Sequence, residues 1–197
     1  MGHAFKPSYT CNVMIERTLV IIKPDAVKKG LIGEIISRFE RAGLRIVAMK
    51  MLRLTKEEAA KFYPSDEGWL RSVGSKSLKS YSEIGKDPRE DLGTDDPVEI
   101  GKIIRGWLAD YLSMGPIVAM VIEGNRAVEV VRKIVGSTTP YSSPPGTIRG
   151  DFSVDSPDLA NLEKRALFNL VHASDSPKEA EREIRFFFRE NEFVDYT

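Results

Sequence analysis

Residues Ile117 to Glu123 read Ile-Val-Ala-Met-Val-Ile-Glu, apolar until the last position. A half-exposed strand alternates apolar and polar residues, so an unbroken run fits a strand buried on both faces. A helical pattern follows at once. Ala127 to Val135 places Val128, Val131, Ile134 and Val135 on one face and stops at Gly136.

Similar signals recur along the chain. Thr18 to Lys23 is a β-branched run ended by Pro24, and Arg45 to Leu54 is a second extended, mostly apolar stretch. Leu170 to Ala173 reads as a short last strand. Gly33 to Ala42 carries Ile35, Ile36 and Phe39 at helical spacing and stops at Gly43. Thr55-Lys56-Glu57-Glu58 reads as a capping box that opens a helix to about Tyr63. Ile103 to Leu112 reads as another helix. Ser176-Pro177-Lys178-Glu179 reads as a second capping box, opening a helix to about Arg189 with Ala180, Ile184, Phe187 and Phe188 on one stripe. The order β-α-β-(α-α)-β-α-β-α predicts an α+β fold, a split βαβ with a four-stranded antiparallel sheet covered by helices.

Two segments exceed that pattern. Pro64 to about Lys102 is dotted with Gly68, Gly74, Gly85, Gly93, Gly101, Pro88 and Pro97 and is poor in periodic apolar positions, so it is expected to form an elaborated surface loop. Asp155 to about Arg165 is a smaller insertion. Residues 1–13 read as a flexible extension and 14–197 as one domain.

Charge balances, with Lys plus Arg 29 and Asp plus Glu 29, so no global field favours nucleic acid or a membrane surface. A single cysteine, Cys11, excludes an internal disulfide or a cysteine metal cage. No apolar run reaches membrane-spanning length and no signal-peptide core is present, so the chain is expected to be cytoplasmic. Gly68 to Ser77 resembles a phosphate-binding loop but fails its spacing, because Ser75 separates Gly74 from Lys76.

The most informative chemistry lies in Asn169-Leu170-Val171-His172-Ala173-Ser174-Asp175-Ser176. His172 sits where a strand gives way to a helix start, and the N–H groups of a helix N-terminus attract anions. Imidazole is nucleophilic near neutral pH, so the pattern points to phosphoryl chemistry. The plainer reading of a lone strand-end histidine is structural. Ser174 and Asp175 favour the chemical one, as does Glu183, which can hold the ring in one tautomer or else be a solvated helix glutamate. Lys23 ends a buried strand, and Arg132 and Arg149 carry planar forks that suit phosphate oxygens as well as they suit solvent.

The segment Asn-x-x-His-x-Ser-Asp-Ser resembles the active-site signature of nucleoside diphosphate kinases. Glu16 to Asp25, Gly33 to Ile36, Gly115 to Met120 and Pro145 to Phe152 resemble other segments of that family, in its order. The resemblance covers roughly residues 16–63 and 103–195. It implies a ferredoxin-like fold and ping-pong transfer of a γ-phosphoryl group through His172. It implies Glu183 and Ser174 as orienting residues, and Lys23, Arg132, Arg149, Thr138 and Tyr63 as phosphate partners. Asn169 would contact the sugar. The resemblance also implies Mg2+ on the phosphates, with Asp175 a neighbour through water. It further implies ATP and other nucleoside tri- and diphosphates as partners, and a homo-oligomer, with a hexamer favoured. One position departs from the family. Where it places an aromatic stacker for the base, counting back from Gly115 gives Arg105, with Trp107 close by, so either is a candidate. A nucleotide-binding regulatory protein and a nucleic-acid binder are the other classes, the second disfavoured by the absent basic excess.

Overall fold

The computed structural model describes residues 15–196. The expected extension at residues 1–13 lies outside them. Strands β1 (Ile15–Ile22), β2 (Arg45–Leu52), β3 (Ile117–Asn125) and β4 (Val171–Ala173) form one antiparallel sheet in the order β2-β3-β1-β4. This is the split βαβ arrangement, an α+β ferredoxin-like fold.

Helices cover both faces, which is why β3 contains no alternation. On one face Val20, Ile22, Met120 and Ile122 pack against Ile35 and Phe39 of α2 (Ile32–Arg41) and Val131 and Val135 of α7 (Ala127–Val135). On the other, Leu19, Ile21, Ala119 and Val121 meet α3 (Lys56–Phe62), α6 (Pro97–Ser113) and α10 (Pro177–Phe187) through Phe62, Ala109, Leu112 and Phe187. Burial of these side chains supplies most of the driving force, each of those larger than alanine contributing about 1.5–3 kcal/mol.

Local signals account for most boundaries. Thr55 caps α3 with a complete capping box, its hydroxyl accepting from Glu58 N while Glu58 accepts from Thr55 N. At α10 only half of the expected box forms. Ser176 accepts from Glu179 N, but the Glu179 carboxylate turns to Arg182. Pro24 does not merely stop β1; it begins the short helix α1 (Pro24–Lys28).

The larger insertion corrects the expectation of a surface loop. It is helical: α4 (Glu67–Glu83), α5 (Pro88–Leu92) and an extension of α6 back to Pro97. Its inward side reads Leu70, Gly74, Ser77, Ser80 and Tyr81, a helical period in which three small residues stand between two large ones. The helices touch backbone to backbone. A Cβ on Gly74 would lie 1.8 Å from Pro97 O, and one on Gly101 2.1 Å from Leu70 O. The phosphate-loop lookalike of residues 68–77 lies wholly inside α4, a helix and not a loop. The smaller insertion forms α9 (Pro157–Leu162), which packs on α4. No helix of the described residues is long and apolar enough to cross a membrane.

Candidate active site

The site is built on the β1–β4 edge. His172 pairs with Ile21 in the register, and the same pairing brings Ser174 beside Leu19, whose N–H donates to Ser174 Oγ at 3.3 Å. Helix α10 lies across β1, and its buried stripe includes Glu183 along with Ala180 and Phe187. Glu183 Oε2 lies 2.8 Å from His172 Nε2 and accepts from Ser174 Oγ at 2.7 Å. Burial alone would raise the Glu183 carboxyl. The hydrogen bonds from His172 and Ser174, with the nearby Arg182 charge, outweigh that and hold it below the usual carboxylate range. Phe62 stands edge-on to the imidazole at 5.1 Å. Nε2 is thus committed to Glu183, while Nδ1 has no hydrogen-bond partner among the described residues.

A second cluster surrounds Lys23, which is 5% exposed at the end of β1. Its Nζ donates to Asn169 Oδ1 at 2.7 Å and lies over the Tyr111 ring at 4.8 Å. Burial, with the charge of Arg149 and against that of Asp25, lowers the amine to about 7. Asn169 Nδ2 donates to Thr138 O at 3.0 Å, which ties the 136–150 loop to this cluster.

Arg149 occupies a different role from the open fork expected of it. Its guanidinium donates to the carbonyls of Gly136, Ser137, Asn169 and Val171 at 2.6–3.1 Å, leaving little of the fork for a phosphate. Burial lowers it to about 10, so it still supplies a positive charge. Arg132 pairs with Asp175 across the mouth of the site. Tyr63 follows α3 and is raised above its ordinary value by burial and the Glu183 charge, so it is a neutral hydroxyl.

The two base-stacking candidates separate. Arg105 donates to the carbonyls of Ala60, Tyr63 and Pro64, joining α6 to the end of α3, and is absent from the groove lining. Trp107 lines that groove together with Lys23, Thr138 and Asn169. The groove also takes in Ile104 and Leu108, which sequence reasoning missed; Trp107 and Leu108 both lie one helical turn past Ile104, and that spacing was the available signal.

Asp25 and Tyr111 were missed altogether. Tyr111 OH donates to Asp25 Oδ1 at 2.6 Å and accepts from Asn169 N at 3.1 Å, while Leu170 N donates to Asp25 Oδ2 at 3.2 Å. Leu170 has φ of 66°, a left-handed conformation that a leucine adopts only under constraint. The Asp25–Tyr111 pair supplies that constraint, so it sets how Asn169 and His172 leave the turn.

A paired imidazole, a buried lysine and two arginines at the edge of a ferredoxin-like sheet make an enzyme site suited to an anionic substrate. The family model described as nucleoside diphosphate kinase matches residues 16–70 and 101–193. The nucleoside diphosphate kinase of Pyrobaculum aerophilum is 66% identical over 181 residues, covering 92% of this chain and 99% of that protein. A crystal structure of an NDP kinase from the same organism superposes with a TM-score of 0.90 at 64% identity, covering 92% of this chain and all of the other. The nucleoside-diphosphate kinase of Borrelia burgdorferi, solved as a transition-state mimic with vanadate and ADP, gives a TM-score of 0.71 at 35% identity over 93% of this chain and 92% of that one. The chain belongs to the nucleoside diphosphate kinase family and is an enzyme of that class. The family model leaves out residues 71–100, which lie within the inserted hairpin.

Proposed function

We propose that this enzyme works by a ping-pong mechanism in which His172 Nδ1 carries the phosphoryl group. The observation that carries this reading is the Ser174–Glu183–His172 chain. A carboxylate beside Nε2 favours the tautomer with its proton there, which leaves the Nδ1 lone pair as nucleophile. In the first half-reaction a bond forms from Nδ1 to the γ-phosphorus of a nucleoside triphosphate, and the bond to the bridging oxygen breaks, releasing the diphosphate. In the second, the terminal oxygen of another nucleoside diphosphate attacks that phosphorus and the P–N bond breaks. Glu183 stabilises the positive charge the ring gains while phosphorylated.

Lys23, Arg132 and Arg149 supply positive charge for the phosphates, and the Tyr63 and Thr138 hydroxyls supply neutral donors. Asn169, held by Lys23 and Thr138, is placed for a sugar hydroxyl. Trp107 is placed to stack on the base, and the ATP donor and diphosphate acceptor use the same groove. The set of residues suits Mg2+ brought in on phosphate oxygens. Among the described residues no group of His, Cys, Asp and Glu forms a metal cage, and the exposed Asp175 can reach such an ion through water. The ion would neutralise phosphate charge during transfer.

A homo-oligomer, with a hexamer favoured, belongs to the same reading. β2 is a sheet edge that exposes Met49 (54%) and Met51 (58%), a surface a second copy would cover. Light scattering that finds only monomer at micromolar concentration would remove this part. The mechanism is tested with γ-labelled ATP. The protein should acquire acid-labile phosphate, lose it on a GDP chase, and acquire none as His172→Ala. Labelling that persists in that variant sinks the assignment.

A further inference from the structure

The loop that carries Thr138 and Arg149 is anchored from outside the groove. It turns at Gly146, whose φ is 87°, and runs into the short helix α8 (Ile148–Phe152). Thr138 lines the groove beside Lys23 and Asn169, and Arg149 donates to the carbonyls of Asn169 and Val171 next to His172. Where this loop sits therefore decides where those two groups sit.

One side chain of α2 holds that turn. Arg38 Nη1 donates to Gly146 O at 2.9 Å, Nη2 pairs with Asp151 Oδ2 at 2.8 Å, and the guanidinium lies over the Phe152 ring at 5.1 Å. Its Nε donates to Glu34 Oε1 at 3.1 Å, one turn back on α2. Asp151 closes the circuit, because its Oδ1 accepts from Gly146 N at 2.8 Å. The Gly146 N–H and the Arg38 charge hold the Asp151 carboxyl below the usual carboxylate range. The two side chains are 25% and 26% exposed, so the pair is partly shielded from solvent. Glu34 alone would satisfy an ordinary helix arginine. The other three contacts all go to the phosphate loop and the helix that ends it. Arg38 is absent from the groove lining, so it acts on a nucleotide only through the loop.

We propose that Arg38 is a positioning residue, which holds the phosphate loop in its nucleotide-binding form before a nucleotide arrives. This rests on the nucleotide reading given above. A loop already in place loses less freedom on binding, so its anchor contributes to affinity rather than to the transfer step. A bound nucleotide orders the same loop through its own phosphate contacts, so the anchor matters least at saturation.

The test is a KM-against-kcat split with amide hydrogen exchange beside it. Arg38→Gln should raise KM for ADP roughly five-fold, the upper range for a partly exposed ion pair, with kcat within about two-fold of the wild type. Asp151→Asn should do the same, and the double variant should lose less than the product of the two single losses. Arg38→Lys keeps the charge without the fork and should recover part of the affinity. Exchange at the Gly146, Gly150 and Asp151 amides should speed up in Arg38→Gln and return to the wild-type rate with saturating ADP. A folded Arg38→Gln that keeps the wild-type KM, or the wild-type exchange rates, overturns the proposal, and so does a loss confined to kcat. A purely structural Arg38 would lower the melting temperature and leave KM per folded enzyme unchanged. If Arg38→Gln does not fold, Asp151→Asn and Arg38→Lys decide by the same readouts. A wild type that forms no phosphoenzyme overturns the underlying nucleotide reading instead.

Discussion

The His172 edge and the inserted hairpin are neighbours held together by opposite means. At the edge, charged and polar groups are buried in pairs: Glu183 with His172 and Ser174, Asp25 with Tyr111, Lys23 with Asn169. Buried charge of this kind contributes little net stability but fixes positions, because removing one partner leaves the other unpaired. In the hairpin, α4 and α6 meet through Gly74 and Gly101 with their backbones in contact. There stability comes from close packing and positions follow from sterics. The first region should respond to charge and pH, the second to volume.

The largest effect is expected from volume. Gly101→Ala would put a Cβ 2.1 Å from Leu70 O and 2.6 Å from Leu70 C, so the helices must part. A cost of about 3 kcal/mol follows from overpacking of this kind. At roughly 2–4 °C per kcal/mol for a chain of this size, thermal unfolding should drop by about 6–12 °C. Phosphoenzyme formation per folded molecule should persist well below the transition. A variant that melts like the wild type would show that the hairpin does not depend on this contact.

Next comes charge. Glu183→Gln keeps the shape but removes the carboxylate that accepts from both His172 and Ser174. Hydrogen bonds to charged groups contribute about 1.5–3 kcal/mol, so the phosphorylation rate should fall by roughly ten- to a hundred-fold. The stability signature has a definite sign. The Glu183 carboxyl is depressed in the folded state, so its contribution is present above the ordinary carboxylate range and lost as pH falls through the folded value. Urea unfolding from neutral to acid pH should show a shallower acid loss in the variant. Equal acid sensitivity of the two proteins would remove the charged pair from the account.

Sequence patterns reached the two regions unequally. The Asn169 to Ser176 segment carries its chemistry in residue types at fixed spacing; the pattern left Glu183 either an orienting carboxylate or a solvated one, and the fold brings it to both His172 and Ser174. The sheet was legible because β3 is apolar on both faces and α2, α7 and α10 are amphipathic. The hairpin was not, because Gly74, Ser77 and Gly101 pack by being small, and glycine in sequence signals a turn. Asp25 and Tyr111 were hidden for another reason: their partners Asn169 and Leu170 are distant in sequence and contribute backbone groups, which leave no trace in side-chain pattern. Arg105 illustrates the same limit, since the carbonyls that hold it are invisible in the residue string.

Tyr111→Phe should give a smaller effect that separates positioning from folding. It removes the hydroxyl between Asp25 and Asn169 N and keeps the ring under Lys23. About 1–1.5 kcal/mol is at stake, appearing as a fall in kcat of roughly five- to ten-fold with KM nearly constant. Were Tyr111 purely structural, the melting temperature would fall while kcat per folded enzyme held.

The gentlest probe is pH itself, acting on Lys23. Its amine is held at about 7 in the folded chain against an ordinary 10.5. Between those values the unfolded chain holds a proton that the folded chain lacks, so this group makes stability rise with pH across that window. Below about 7 both states are protonated and the cost of burying the charge is fully present. Phosphates reverse the preference, because they favour the ammonium form. Nucleotide binding near pH 8 should therefore take up a proton, measurable as a binding enthalpy that depends on the ionisation enthalpy of the buffer. By the same logic kcat/KM, which reports the free enzyme, should fall as pH rises above about 7, while kcat, which reports the complex, should stay flatter. Gly101→Ala should leave both profiles in place even as it lowers the melting temperature. If the hairpin variant shifted the pH profile, the two regions would be electrostatically coupled and the division drawn between them would fail.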